Sequence, residues 1–390
     1  MRRGHIVTWG LAPCKYGRVP AERLRLPTAS PPFGCSSPRR SFHAKFRGMA
    51  VAFLGTGSGV PSLERNVTSI AIKLESRTIM VDCGEATQHQ FMKCPGLTLQ
   101  SVEHIFITHL HGDHIMGLGG VVHGICCGLE SGRMQPLHIY GPPGLRRYVR
   151  TLLDTTRPTL DLPLFIHELV TADPRLQAKN KPDVPRLRDT DIPMDEATGT
   201  WNVFSDKKIS IRAGPLQHKV PCWGYVVKEA DSQGSIDVDL CVAKGLPPGP
   251  LYKELKAGRS VALPSGAMLH PSEVVGPPKV GRKLVVLGDT CDSSGIAEIG
   301  RGADLLIHEC TLPRRLASEA YKRGHSTAAM AGRFAKSLHA KKLVLTHFSA
   351  RTATPGEESV EDMVKEAGQV FGGPVGSAHD LMWLEVPPTR

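Results

Sequence analysis

The sequence predicts a layered α/β fold, on two observations. Short apolar runs rich in branched residues recur along the chain, among them Thr78-Ile79-Met80-Val81, His104-Ile105-Phe106-Ile107, Val285-Val286-Leu287 and Leu343-Val344-Leu345. Each runs into a polar residue capable of chemistry: Asp82, His109, Asp289 and His347 respectively. In layered α/β proteins the loops at strand carboxyl ends are where functional side chains gather. A chain of 390 residues with 41% apolar residues can bury a large core, and the absence of a second histidine-rich segment argues for one catalytic unit rather than two related halves.

Taken in order, the glycine run Gly55-Thr56-Gly57-Ser58-Gly59 follows the apolar start at Met49 but lacks the GxGxxG order and any following Lys-Ser/Thr, so it is no nucleotide loop. The strand at Thr78–Val81 ends at Asp82. The next strand opens into Thr108-His109-Leu110-His111-Gly112-Asp113-His114, which places three imidazoles and a carboxylate within six positions. His109 and His111 alternate, so at a strand end they point the same way, while Asp113 and His114 follow in the turn and can address a second ion. Imidazole and carboxylate ligands suit zinc and its first-row neighbours, and a shared carboxylate can hold two ions about 3.5–4 Å apart. A chance grouping among 17 histidines is the alternative, but a solvated cluster needs no apolar strand leading into it.

Further ligands are expected from other strand ends. His218 follows the alternating segment Ile209–Arg212, Asp289 ends Val285–Leu287, and His347 ends Leu343–Leu345. Each alone reads as a turn or capping residue; four convergent strand ends read as a site. Asp304-Leu305-Leu306-Ile307 leads into His308-Glu309, and His325 precedes a helical stretch from Ser326 to Leu338, where Ser326 or Thr327 could equally serve as caps. Between His218 and Asp289, Gly245-Leu246-Pro247-Pro248-Gly249-Pro250 and Leu255-Lys256-Ala257-Gly258 are too rich in breakers to extend a central sheet. That segment, at about 230–280, is expected to leave the core, and Leu251-Tyr252-Lys253-Glu254-Leu255 gives it some structure.

Charge is unevenly spread. Ten of the 48 basic residues lie in residues 1–48 against one acid, Glu22, so this segment carries +9 of the formal +11; the remaining 38 basic and 36 acidic residues leave the body at +2. The basic balance therefore says nothing about nucleic acid, and any such binding would depend on local patches such as Lys207-Lys208, Arg314-Arg315 or Lys322-Arg323. Residues 1–48 are rich in Arg, Pro and Ser and read as a targeting segment for mitochondrion or plastid; translation from Met49 would instead give a cytoplasmic or nuclear protein. Ten cysteines without CxxC spacing fit a reducing compartment. No apolar run approaches the roughly 20 residues of a membrane span.

With Phe53-Leu54-Gly55-Thr56-Gly57, Val81-Asp82-Cys83-Gly84-Glu85, Pro215-Leu216-Gln217-His218, Leu287-Gly288-Asp289-Thr290, His308-Glu309, Gly324-His325-Ser326-Thr327 and Leu345-Thr346-His347-Phe348, the chain resembles the metallo-β-lactamase superfamily from residue 50 to about 385. Within it, Pro61-Ser62-Leu63-Glu64-Arg65-Asn66 is similar to the substrate-reading loop of the short-form tRNA 3′-processing endonucleases, the tRNase Z family, though close kin usually carry a lysine where this chain has Leu63-Glu64. The resemblance implies an αββα sandwich with a protruding tRNA-binding arm, two zinc ions per chain and cleavage of precursor tRNA after the discriminator base. It implies one zinc on His109, His111 and His218, another on Asp113, His114 and His347, and Asp289 bridging them. It makes Asp113 the group that orients or accepts the attacking proton, and His325 backed by Glu309 the donor to the leaving 3′-oxygen. Asp82 and His308 would steady ligating imidazoles from behind, and Pro61, Arg65, Asn66, Ser326, Thr327, Gly249 and Pro250 would meet RNA. A homodimer in which one subunit's arm serves the other's site is implied as well. A hydrolase of the same fold acting on a small phosphodiester, thioester or lactone is the alternative; residues 151–205 carry no motif that decides.

Overall fold

The computed structural model describes residues 48–127, 135–171, 187–350 and 358–386; apart from Gly48, the expected targeting segment lies outside them. Two sheets form the centre. The first orders its strands β17-β1-β2-β3-β4-β5-β6-β7, with β1 at Met49–Gly55, β2 at Ser69–Lys73, β3 at Thr78–Val81, β4 at Val102–Phe106, β5 at Leu137–Gly141, β6 at Leu164–Val170, β7 at Leu187–Pro193 and β17 at Met382–Val386. The second runs β16-β15-β14-β13-β10-β9-β8, with β8 at Trp201–Ser205, β9 at Ile209–Leu216, β10 at Cys222–Glu229, β13 at Lys283–Val286, β14 at Leu305–Glu309, β15 at Leu343–Thr346 and β16 at Val375–Ser377. The stretch without motifs, from 151 to 205, thus supplies the edge strands at which the chain passes from one sheet to the other.

Strand alternation builds four layers. Phe106, Ile211, Tyr225, Val286, Ile307 and Val344 face between the sheets in one core. Their neighbours Ile105 and Ile139 pack outward beneath the helices Leu118–Cys126 and Leu145–Thr156. Val285, Leu306 and Leu345 do the same beneath Ala328–Ser337 and Val360–Phe371. A strand buried on both faces must be apolar at successive positions, which is why these runs do not alternate in hydropathy. The architecture is the αββα sandwich.

The strand directions place the chemistry. β3 through β7 are parallel, as are β13 through β16, so their carboxyl ends collect along one edge of the sandwich. Two non-glycine residues there hold a left-handed backbone, Asp82 at φ 60 and His347 at φ 59. That conformation costs roughly 1–2 kcal/mol for a residue with a Cβ, and packing holds it at both strand ends.

The segment after β10 leaves the sandwich. Bridges Ser232↔Lys279 and Ile236↔Val275 form its stem, and beyond them lie the helices Val238–Ala243, Leu251–Lys256 and Pro271–Val274 with a small sheet of β11, Val261–Ala262, and β12, Met268–Leu269. It has its own core of Cys241, Leu246, Leu255, Val261, Leu269 and Val274. The helix at Leu251–Lys256 falls on the apolar, Lys-bearing stretch singled out above.

Candidate functional site

The site begins where β4 ends. Thr108 is pinned twice: its backbone N–H and hydroxyl both donate to Asp82, at 2.7 Å to Oδ1 and 2.8 Å to Oδ2, and its carbonyl accepts from Trp223 N–H at 2.9 Å. From there the chain turns through His109 and His111 into a short helix, Gly112–Ile115, carrying Asp113 and His114. Glycine at 84 and at 117 lets the Asp82 turn touch this helix, since a Cβ on Gly117 would lie 1.9 Å from the Gly84 carbonyl oxygen.

Seven side chains from four regions converge. His109 Nε2 stands 3.0 Å from His111 Nδ1, which is 3.3 Å from His218 Nε2. Beside them, His114 Nε2 is 3.3 Å from His347 Nε2, and Asp113 Oδ2 is 3.3 Å from the latter. Asp289 lies between the two groups: its Oδ2 is 3.7 Å from His109 Nε2, and its Oδ1 is 3.4 Å from His114 Nε2 and 3.3 Å from His347 Nε2. Each carboxylate oxygen therefore faces a different triad.

The outward ring nitrogens explain why the inward ones are available. His218 Nδ1 donates to the Gly324 carbonyl at 2.6 Å, and His114 Nδ1 to Asp82 Oδ2 at 2.7 Å. His109 Nδ1 donates to Thr108 Oγ1 at 3.1 Å, the hydroxyl that itself donates to Asp82. His347 Nδ1 donates to Thr311 Oγ1 at 2.8 Å, and that hydroxyl donates to Glu309 Oε2 at 2.6 Å. With their protons held outside, His109 and His218 aim inward lone pairs at His111 Nδ1 from 3.0 and 3.3 Å, an arrangement that favours a cation between the three rings. The donor set fits metal: His109, His111, His218 and Asp289 form one group of ligand atoms and Asp113, His114 and His347 another.

Burial and neighbouring charge act in different directions across the cluster. Burial holds His109 well below the usual imidazole range, helped by the neighbouring charge of His114. For His114 burial acts downward too, but Asp289 and Asp82 together outweigh it and raise the ring well above its ordinary value. Burial would raise Asp289, and the charges of His347, His114 and His109 override it and keep the carboxylate ionised.

Glu309 and His325 form an adjoining pair. Glu309 accepts at Oε1 from Thr290 N–H at 3.0 Å and from His325 Nδ1 at 3.0 Å, and at Oε2 from Thr311 N–H at 3.0 Å. Burial opposes charge on His325, but the bond and charge of Glu309, with Asp289 behind, lift it to about 9. With Nδ1 occupied, Nε2 is the nitrogen left for a substrate.

Several expectations need correcting. His308 does not steady a ligand: alternation along β14 turns it away from Glu309's side, and its ring meets the Glu309 carbonyl at 2.8 Å, the Ser293 hydroxyl at 3.2 Å and Phe334. Ser326 and Thr327 are buried, and the Ser326 hydroxyl donates to the Thr290 carbonyl at 2.6 Å, so these side chains shape the turn rather than offer RNA a contact. Arg65 and Asn66 fasten the loop they were expected to read RNA with. The Arg65 guanidinium donates to Thr56 Oγ1 and the Ala378 carbonyl while lying over Phe348, and Asn66 N–H donates to Asp380 Oδ2. Pro61 is exposed in the same loop, as are Gly249 and Pro250 in the arm. The loop also reaches the ligands, because Gly59 N–H donates to Asp113 Oδ2 at 2.7 Å.

Sandwich and cluster together define a protein of metallo-β-lactamase fold with a His/Asp site suited to metal. Residues 49–135 match a family model described as "Anti-Pycsar protein Apyc1". Ribonuclease Z of Cyanothece sp. is 37% identical over 341 residues, covering 87% of this chain and 96% of that relative, and ribonuclease Z of Trichodesmium erythraeum gives the same identity and coverage. The crystal structure of human tRNase Z, short form, superposes with a TM-score of 0.60 at 31% identity over 87% of this chain and 99% of that one. The chain belongs to the ribonuclease Z family.

Proposed function

We propose that this protein is the endoribonuclease that removes the 3′ trailer from precursor tRNA after the discriminator base, leaving a 3′-hydroxyl. The observation that carries the reading is Asp289, whose two oxygens face separate His/Asp triads in a chain of the ribonuclease Z family. His109, His111 and His218 would hold one zinc, Asp113, His114 and His347 a second, with Asp289 shared. When bound, two such ions would supply a nucleophile at neutral pH and would neutralise charge on the attacked phosphoryl group.

The chain's own residues do the rest. Asp113, held by Gly59 N–H, orients the attacking proton. His325, kept protonated by Glu309, donates from Nε2 to the departing 3′-oxygen, an alkoxide that is a poor leaving group without a proton. Asp82 and Thr311 fix ring orientation so that these distances are set before substrate arrives. The arm grips tRNA away from the cut, with Gly249 and Pro250 at its exposed surface. The same reading extends to a homodimer and to import of the protein into an organelle by residues 1–48, a segment whose basic, acid-poor composition supports it. No helix among the described residues is long and apolar enough to cross a membrane.

The test incubates purified protein with one precursor tRNA and with bis(p-nitrophenyl) phosphate. Cleavage of the RNA at the discriminator, lost with chelator and restored by zinc, is the expected result. Hydrolysis of the ester with intact RNA would transfer the protein to the small-substrate class.

A further inference from the structure

We propose that Tyr321, Lys322, Arg323 and Lys219 form a platform for the unpaired nucleotide that owns the leaving 3′-oxygen, the base stacking on Tyr321 and the flanking phosphates meeting the three cations. The proposal rests on the ribonuclease reading and on His325 as proton donor, and adds the surface that presents the bond to it.

Tyr321 is 55% exposed, and it is the one strongly exposed aromatic among the described residues. It sits in the last turn of the helix Ala317–Arg323, with Lys322 and Arg323 beside it. A locked turn joins this helix end to the site. Gly324, at φ 79, donates its N–H to the Tyr321 carbonyl at 3.0 Å, and His325 N–H donates to the Ala320 carbonyl at 2.8 Å. The Gly324 carbonyl accepts from His218, and a Cβ on Gly324 would lie 2.7 Å from His218 Nδ1 and 3.2 Å from the Lys219 nitrogen. The helix end is thus pressed against His218 and Lys219 with no room for a side chain between. Lys219 is itself exposed, next to a cluster histidine. Tyr321 is four residues before His325, and the turn between them is closed by the Gly324 and His325 N–H bonds.

Cations in a last helical turn have an ordinary explanation, since they complement the helix dipole. That accounts for Lys322 and Arg323 but not for an exposed tyrosine in the same turn, nor for Lys219 on another segment. The acid facing Lys322 and Arg323 is Glu319, at 3.3 and 3.8 Å, and pairs this exposed contribute little and exchange readily for phosphate. An aromatic face bordered by cations is the chemistry that holds single-stranded nucleic acid without reading its sequence. Because His325 addresses the leaving oxygen, the nucleotide carrying that oxygen is the one nearest the platform.

The experiment measures KM and kcat on precursor tRNA for wild type, Tyr321→Phe and Tyr321→Ala, using intact RNA, RNA abasic at the last position before the cut, and RNA abasic at the first position after it. Hydrolysis of bis(p-nitrophenyl) phosphate reads the integrity of the metal centre. Tyr321→Ala is expected to raise KM on intact RNA by roughly five- to a hundredfold, the range for one lost base stack, with Tyr321→Phe within about twofold of wild type. On RNA abasic before the cut the Tyr321→Ala penalty disappears; on RNA abasic after the cut it persists. Lys219→Ala, Lys322→Ala and Arg323→Ala should each flatten the dependence of log KM on log salt by about 0.7–0.9. An unchanged KM for Tyr321→Ala, an equal penalty on all three RNAs, or coupling to the trailer base overturns the platform while leaving the ribonuclease reading intact. A wild-type protein that cleaves no precursor tRNA overturns both.

Discussion

The ligand cluster and the arm are built on opposite plans. The cluster draws its seven side chains from residues 109 to 347, at the ends of strands in both sheets, and secures His109, His114, His218 and His347 by hydrogen bonds from their outward ring nitrogens. The arm is continuous in sequence, carries its own small core and meets solvent with exposed pairs such as Lys244 with Glu273 and Arg259 with Glu254. Chemistry needs atoms held to fractions of an ångström, which only a cooperative core supplies. Grip on a large substrate needs reach, which a separately folded projection supplies at little cost to the core. If the division is real, changes in the cluster must damage every substrate, and changes in the arm only the large one.

The largest effect is expected at Asp289, whose two oxygens face the two triads. Asp289→Ala should abolish cleavage of RNA and of bis(p-nitrophenyl) phosphate alike and lower bound metal more than His111→Ala does, measured by elemental analysis of the purified variants. Two ions retained per chain would break the bridge assignment.

His325 is the next test, because it stands in the cluster yet is expected to discriminate between substrates. His325→Ala should leave metal content unchanged and lower kcat on RNA by roughly a hundred- to ten-thousandfold. The nitrophenyl ester should suffer far less, since its leaving group needs no proton. The pH dependence carries the sign. Glu309 raises His325 to about 9 against the effect of burial, so the donor form exists below that value and is lost above it. Bound cations pull the value down, so kcat on RNA should fall on an alkaline limb at or below about 9, and Glu309→Gln should shift that limb to lower pH. An alkaline limb unmoved in Glu309→Gln would dissociate the pair.

Removing the arm tests the other half. A Cβ on Gly234 would lie 1.7 Å from the Gly276 carbonyl oxygen, so the two strands of the stem touch there and deletion of residues 235–275 can close without stretching β10 or β13. KM for precursor tRNA should rise on the order of a hundredfold while small-ester hydrolysis stays near wild type, as expected when remote binding is lost and the reacting centre is not. Loss of both activities would show that the core depends on the arm to fold.

How far the sequence foretold this molecule follows from the same contrast. The ligand strands were legible because a run such as Leu343–Leu345 has no local reason to end in histidine unless that end is used. Asp82 and Glu309 were legible for a similar reason. Thr108 and Thr311 were passed over, although a hydroxyl beside a strand-end ligand is a signal available to the eye; each relays an imidazole proton to a buried carboxylate. His308 was misplaced despite strand alternation, which already put it on the face opposite Glu309. The fastening role of Arg65 and Asn66 is not visible in the sequence, because Ala378 and Asp380, which they hold, lie more than 300 positions away and polar loop residues look alike whether they bind RNA or bind the fold. Asp380 also holds Thr56 and Gln90, and nothing in its local sequence announces that role.

The smallest expected effect lies at the joint between the two regions. Arg282 donates from Nε and Nη2 to the two oxygens of Glu229, at 2.6 and 2.7 Å, and from Nη1 to the Val386 carbonyl at 3.1 Å. The pair thus ties the last residue of β10 to the first sheet at the root of the stem. It is partly buried and two-pronged, a geometry that fixes direction as well as distance. Glu229→Gln keeps the shape but removes the charge and one matched acceptor. If the core holds the arm at a set angle, KM for precursor tRNA should rise by about three- to tenfold, worth about 1 kcal/mol, with kcat and ester hydrolysis unchanged. If the tRNA itself orients a swinging arm, KM should not move. The first outcome would extend the rigidity of the cluster into the arm; the second would place the boundary between the two plans at Glu229.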